Sequence, residues 1–255
     1  MDLSEIIASP YFIAAVFFVI AFIYSSVGMG GGSSYTAMMA IMGFSVLAIP
    51  MISLSLNLLA TTVSSFNFIR KKHLQWRLVT PFLITSIPMS YLGGSLHLSK
   101  EFFYWVLWVS LCFIAARIYL WRETRLPLNL NATGKLIISL VAGSILGLVA
   151  GIAGIGGAVY LVPLIILLGL GSAKQAAACG VVFVWLNSLF GLLSRLQYNP
   201  MELGVFPYLV VAVVVGALMG SYMGASRFSP KKMEKILGII ILVAIVALSR
   251  KLFIL

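Results

Sequence analysis

From residue 11 to the C-terminus, apolar runs near 20 residues long follow one another with only short polar breaks between them. A bilayer's hydrocarbon core takes about 20 residues of helix to cross. No water is present there, so each segment must satisfy its own backbone groups, and the runs read as helices. Ten segments can be marked, at about 11–27, 33–43, 46–69, 78–96, 102–121, 136–153, 158–169, 173–194, 203–224 and 233–254. The second and seventh are too short to cross as straight helices. The fold class expected is an all-α polytopic membrane protein with short broken or re-entrant helices. Apolar residues make up 62% of the chain and charged ones 9%. A soluble domain carries roughly 25% charge, so this chain cannot cover a water-facing surface.

The net charge of +11 sits in short clusters between the apolar runs. Arg70-Lys71-Lys72 is too short for a nucleic-acid stripe, and nucleic acid is excluded as a partner. Asp2 and Glu5 precede the first run with no Lys or Arg, the reverse of a signal peptide. That run is therefore read as part of the mature fold. Cys112 and Cys179 both lie inside apolar segments, which argues against a disulfide and against a metal site.

A shift of 126 residues brings the chain into register with itself. Gly28, Gly30 and Gly31 fall on Gly154, Gly156 and Gly157, and Gly43 falls on Gly169. Pro81 meets Pro207, Leu92 meets Leu218, and Gly94-Ser95 meets Gly220-Ser221. Beyond a four-residue insertion, Leu98-Ser99 meets Phe228-Ser229. Two five-segment repeats are expected, residues 1–126 and 127–255, with 122–135 as linker. An odd number of segments inverts the second copy. Lys and Arg then divide 13 to 4 between the two sides, with Lys100, Arg195, Arg250 and Lys251 on the poor side. Positive charge marks the cytoplasmic side, so both termini are expected outside. Short crossing pairs and re-entrant hairpins give the same partition.

Two glycine tips stand out. The first is Ser25-Ser26-Val27-Gly28-Met29-Gly30-Gly31-Gly32-Ser33-Ser34, and the second is Gly151-Ile152-Ala153-Gly154-Ile155-Gly156-Gly157-Ala158. Each ends one segment and opens the next. Glycine lets a ligand approach the backbone. Amides that open a helix lack partners and carry partial positive charge, so a small oxyanion suits them. Broken helices in matching positions of inverted halves mark a transporter site. Close helix packing is the other reading of such glycines. A dinucleotide fold is excluded, since no parallel sheet is foreseen.

Two such motifs in a small duplicated apolar chain resemble the sulfite exporter TauE/SafE family. The resemblance covers essentially the whole chain, and it is sharpest at Gly154-Ile155-Gly156-Gly157 followed by Val162-Pro163. It implies secondary transport of sulfite, sulfonates or related small sulfur-containing anions across the bacterial inner membrane.

The third and eighth segments carry further polar residues. Ser53, Asn57, Thr61 and Ser64 can share a helix face, and Asn187 and Ser188 stand in the eighth segment. They could complete an anion site or bond across packed helices. The candidate binding residues are thus Gly28, Met29, Gly30, Gly31, Gly32, Ser33, Ser34, Asn57, Gly154, Ile155, Gly156, Gly157, Ala158, Asn187 and Ser188. Arg70 and Arg195, near matching helix ends, read as interfacial anchors or as attractors of anions to the mouth. Trp76, Trp105, Trp108 and Trp121 fit interfacial belts.

Asp2, Glu5, Glu101, Glu123, Glu202 and Glu234 all lie at segment ends, as do His73 and His97. No proton relay is foreseen, nor carboxylates for a cation carrier. An intramembrane protease would need a base beside its nucleophile, and none is in view. The chain is expected not to be an enzyme and to need no cofactor. Its partners are a small anion and the lipid bilayer, with a homodimer as candidate assembly. An anion channel, or a carrier for another small organic anion on the same fold, is the alternative.

Overall fold

The computed structural model describes residues 9–96, 98–120, 131–198, 206–226 and 230–253. Most of the linker 122–135, the chain termini, Asp2, Glu5, His97, Trp121, Glu202, Arg227 and the Phe228-Ser229 pairing lie outside them, as do the side chains of Lys231, Lys232 and Glu234.

Ten helices are found among the described residues, and no strand. They are α1 (Pro10–Ser26), α2 (Gly32–Ile41), α3 (Ala48–Arg70), α4 (Trp76–Ser95), α5 (Lys100–Leu120), α6 (Ala132–Ala153), α7 (Ala158–Leu167), α8 (Ala173–Leu196), α9 (Phe206–Ser226) and α10 (Pro230–Phe253). Five of them, α3, α5, α6, α8 and α9, are long and apolar enough to span a membrane. Their outer faces show apolar side chains such as Val109, Phe113, Val141, Ile145 and Val211.

α2 and α7 are 10 residues each, about 15 Å of helix, half of a hydrocarbon core about 30 Å thick. Both stop in the same way. Gly43 (φ +82°) and Gly169 (φ +63°) take the left-handed conformation. Phe44 N donates to Met39 O and Gly43 N to Ala40 O, while Leu170 N donates to Ile165 O and Gly169 N to Ile166 O. This paired closure satisfies carbonyls that would otherwise be orphaned. The starts of α6 and α8 are side-chain capped, by Asn131 and by a Ser172–Gln175 capping box. α2 and α7 begin on glycines and have no side-chain cap.

Residue pairings give the directions. Trp185 Nε1 donates to Thr62 Oγ1 (2.8 Å), and Gly191 faces Leu54, so α3 and α8 run antiparallel through the centre. One end of the molecule gathers the starts of α1 and α9 (Tyr11 on Tyr208) and the ends of α4 and α8 (Gln197 Nε2 to Tyr91 Oη, 2.9 Å). The end of α2 lies there too, where Lys251 Nζ of α10 donates to Ala40 O (2.9 Å). The other end gathers the starts of α4 and α8, where Cys179 Sγ lies 3.8 Å from Gln75 O, and the end of α7, where Gly171 faces Leu78. α1–α2 and α6–α7 are therefore hairpins that enter from opposite ends and meet in the middle.

The tightest contacts are parallel and glycine-lined. Gly216, Gly220 and Gly224 of α9 lie on the main chain of Phe18, Phe22 and Ser26 of α1. Gly143, Gly147 and Gly151 of α6 lie on Phe82, Ser86 and Ser90 of α4. A Cβ at any of the six would strike a neighbouring carbonyl oxygen. Small residues at four-residue spacing let membrane helices approach this closely. In the 126-residue register α1 corresponds to α6 and α9 to α4, so the glycines come from opposite members of the two pairs.

Gly220→Ala should therefore force α1 and α9 apart, whereas Gly43→Ala meets open space and costs only its backbone conformation, about 1–2 kcal/mol. Thermal unfolding in detergent should show the larger drop for Gly220→Ala. Equal drops would contradict the packing described.

Candidate functional site at the meeting of the hairpin tips

The first tip runs from the end of α1 to the start of α2, and the second from α6 to α7. Both are buried throughout. Positive φ values recur in the 126-residue register: Gly28 (+74°) with Gly154 (+71°), and Gly30 (+75°) with Gly156 (+79°). The next pair differs, since Gly157 is left-handed (φ +84°) while Gly31 has a negative φ (−159°).

The tips touch each other, and Asn57 of α3 joins them. Its Oδ1 accepts from Gly31 N (3.0 Å) and its Nδ2 donates to Gly154 O (3.3 Å). A Cβ on Gly32 would lie 2.6 Å from Ile155 O and 2.7 Å from Gly154 O. Only glycine permits that approach. Gly30 and Gly156 both face Val184, Gly157 faces the Phe183 ring, Gly28 rests on Ala177, and Gly154 rests on Pro50.

The carbonyls that end α6 are all taken. Ala150 O accepts from Gly154 N, and Gly151 O and Ile152 O accept from Arg195. Ala153 O accepts from Thr36 (3.2 Å), and Gly154 O accepts from Ser53 (2.8 Å) as well as Asn57. The donors are not taken. The amides of Gly30, Gly32, Ser33 and Ser34 find no acceptor among the described residues. Neither do those of Ile155, Gly156, Gly157, Ala158 and Val159. Buried backbone donors are nearly always paired. Two hydroxyls of the first hairpin, on Ser25 and Tyr35, are also buried without a partner. The ring of Tyr35 stacks on Phe17 (5.1 Å) with its oxygen beside Gly31. Tyr24 Oη bonds both Ser33 and Ser34, each at 2.7 Å. The centre thus brings together unpaired amides from both tips and no carboxylate among the described residues, donors of the kind that can hold an oxyanion.

Among the expected residues, the structure brings Gly30, Gly31, Gly32, Asn57, Gly154, Ile155 and Gly156 to one contact. Gly28, Met29, Ser33, Ser34, Gly157 and Ala158 form its surroundings. Asn187 bonds elsewhere, from Nδ2 to Phe183 O and Ser86 Oγ, and its Oδ1 is unpartnered, as is Ser188 Oγ. No hydrogen bond joins either side chain to a tip among the described residues. Arg70 is exposed as expected. Arg195 is not an interfacial anchor: it is only 7% exposed and lies on the end of α6. Tyr24, Tyr35, Thr36 and Val184 are additions from the structure. A groove of about 430 Å³ between α1, α2 and α10 reaches Ser34 and no other tip residue. No His, Cys, Asp and Glu cluster able to hold a metal is found among the described residues.

A family model described as sulfite exporter TauE/SafE matches residues 13–248. The chain belongs to the TauE/SafE family. It is 35% identical over 236 residues to the probable membrane transporter protein y4hK of Sinorhizobium fredii, covering 91% of this chain and 95% of that one. It is 24% identical over 240 residues to the probable membrane transporter protein YjnA of Bacillus subtilis, covering 85% and 91%. No solved structure matches. This TauE/SafE protein is a multi-pass membrane transporter.

Asn57→Ala leaves Gly31 N without a partner and should cost about 1–3 kcal/mol. Asn57→Asp keeps an acceptor for Gly31 but sets a carboxylate against Gly154 O. It should unfold earlier than Asn57→Ala in detergent melts and bind no anion. An Asp variant as stable as the parent would refute this account of the bridge.

Proposed function

We propose that this protein exports a small sulfur-containing anion, sulfite or an organosulfonate, across the bacterial inner membrane by alternating access. The observation that carries the reading is the set of buried, unpaired amides that the starts of both short helices bring to the tips. An oxyanion can accept from these amides without a buried ion pair. The tips are closed on each other here, so the anion binds when they part. Backbone contact between Gly32 and the second tip closes the tips on each other, which favours a carrier over a channel.

The hairpins belong to two inverted repeats, 1–126 and 127–255. Three observations support this: hairpins entering from opposite ends, the antiparallel α3–α8 pair, and matching glycine conformations. The end bearing Arg70, Lys71, Lys72, Arg77 and Lys174 faces the cytoplasm by its positive charge, and both termini face outside.

Export of an anion from an inside-negative cell gains about 2.3 kcal/mol per charge per 100 mV. No carboxylate stands mid-span among the described residues to carry a proton against that gain. His73, in the loop between α3 and α4, titrates below its ordinary value because of partial burial and the nearby Lys174 and Lys71. It is neutral at physiological pH.

Proteoliposomes should take up or release sulfite under a potassium-diffusion potential alone. Gly157→Val, which strikes Phe183 from a left-handed backbone, should remove that flux while the protein still inserts. Flux that needs a pH gradient would overturn the coupling, and undiminished flux in the Val variant would overturn the site.

A further inference from the structure

Arg195 is the one buried Lys or Arg among the described side chains. Its Nη2 donates to Gly151 O (2.9 Å) and Ile152 O (2.8 Å), three and two residues before Gly154. No ion pair is found for it among the described residues. Its Nε and the adjacent Ser194 Oγ are buried without partners. A guanidinium stays charged in proteins, so a positive charge lies beneath the second tip.

Capping alone does not call for it. α1 reaches the first tip in the same way and closes itself: Tyr24 O accepts from Val27 N and Met29 N, Ser25 O from Gly28 N, and Ile23 O from Ser26 Oγ. In the 126-residue register Arg195 corresponds to Ile69, which is exposed. The second half has therefore gained a buried cation that the first manages without. α6 points its negative end at the place where the amides of Ile155 to Val159 are unpaired. Without compensation that end would oppose an anion.

We infer that Arg195 is a positioning residue of the anion site. It fixes the last carbonyls of α6, so that the amides beyond Gly154 face the centre, and its charge offsets the negative end of α6. The charge part rests on the carrier reading above, whereas the positional part does not.

Three substitutions separate the parts. Arg195→Lys keeps charge and a donor, Arg195→Gln keeps a donor alone, and Arg195→Met keeps neither. The first readout is maleimide labelling of Ile155→Cys in a full-length Cys112→Ser, Cys179→Ala background, reconstituted in liposomes. Labelling should be slow with Arg, Lys or Gln at 195 and at least tenfold faster with Met. Gly191→Ala is the control, since Gly191 also lies on Ser90 and Gly151 but bears no charge. Unchanged labelling in Arg195→Met, or the same acceleration in Gly191→Ala, overturns the positional part. The second readout is sulfite affinity by calorimetry. Arg195→Gln should bind at least tenfold more weakly than Arg195→Lys although its tip stays protected. Equal affinities overturn the charge part. If the parent itself binds no sulfite, the carrier reading and the charge part fall with it, and the labelling result still decides the positional part.

Discussion

One side-chain amide holds the centre of this molecule together. Asn57 accepts from one hairpin tip and donates to the other, and without it Gly31 N would lose its acceptor. The bridge is possible only because α3 crosses the midplane beside both tips and because glycines let the two backbones touch. The hairpins enter from opposite ends and are each half a bilayer deep on the return. Their meeting point therefore falls where lipid would tolerate irregular backbone only if protein buried it.

The chemistry of that point follows from which backbone groups are left over. A helix end supplies carbonyls and a helix start supplies amides, and each tip contains one of each. Arg195, Thr36, Ser53 and Asn57 take up the carbonyls of residues 151–154 that end α6, and local turns take up those of Ile23, Tyr24 and Ser25 that end α1. Nothing among the described residues takes up the first amides of α2 and α7. Because α2 and α7 start on glycines, no capping side chain competes for their first turns, in contrast to Asn131 at α6 and Ser172 at α8. If the proposed anion binds here, it is held through dipoles with few fixed cations, so desolvation of buried ion pairs is largely avoided.

The helices and tips were legible because lipid imposes coarse rules. Apolar runs marked all ten helices, and the lengths of 33–43 and 158–169 foretold two half-depth elements. Glycine register matched Gly28, Gly30 and Gly43 to Gly154, Gly156 and Gly169, and all six prove to have positive φ. Other features depended on facing side chains that spacing alone does not disclose. Asn57 and Asn187 looked alike in an apolar helix, yet one bridges the tips and the other ties α8 to Ser86. In the repeat register Asn57 corresponds to Phe183, so symmetry gave no hint of the bridge. Arg195 lay near the end of an apolar run, where an interfacial anchor is the usual outcome. The carbonyls of Gly151 and Ile152 instead draw it inward. The glycine ridges at 143, 147 and 151 and at 216, 220 and 224 could have been found by their four-residue spacing. They were obscured because the equivalent helix of the other half, α1 for the first ridge and α4 for the second, carries no such ridge.

Opening the tips need not leave the centre poorer in hydrogen bonds. If Asn57 lets go of both hairpins, Gly31 N joins the unpaired amides and Nδ2 becomes free to donate. Gly154 O keeps Ser53, so no carbonyl is orphaned. Every group released is then a donor, apart from Asn57 Oδ1, and an entering oxyanion with several lone pairs can engage them together. A neutral or cationic solute could not, and the tips would close again on Asn57. The bridge that seals the centre would in this way also reject what the site is not built to hold.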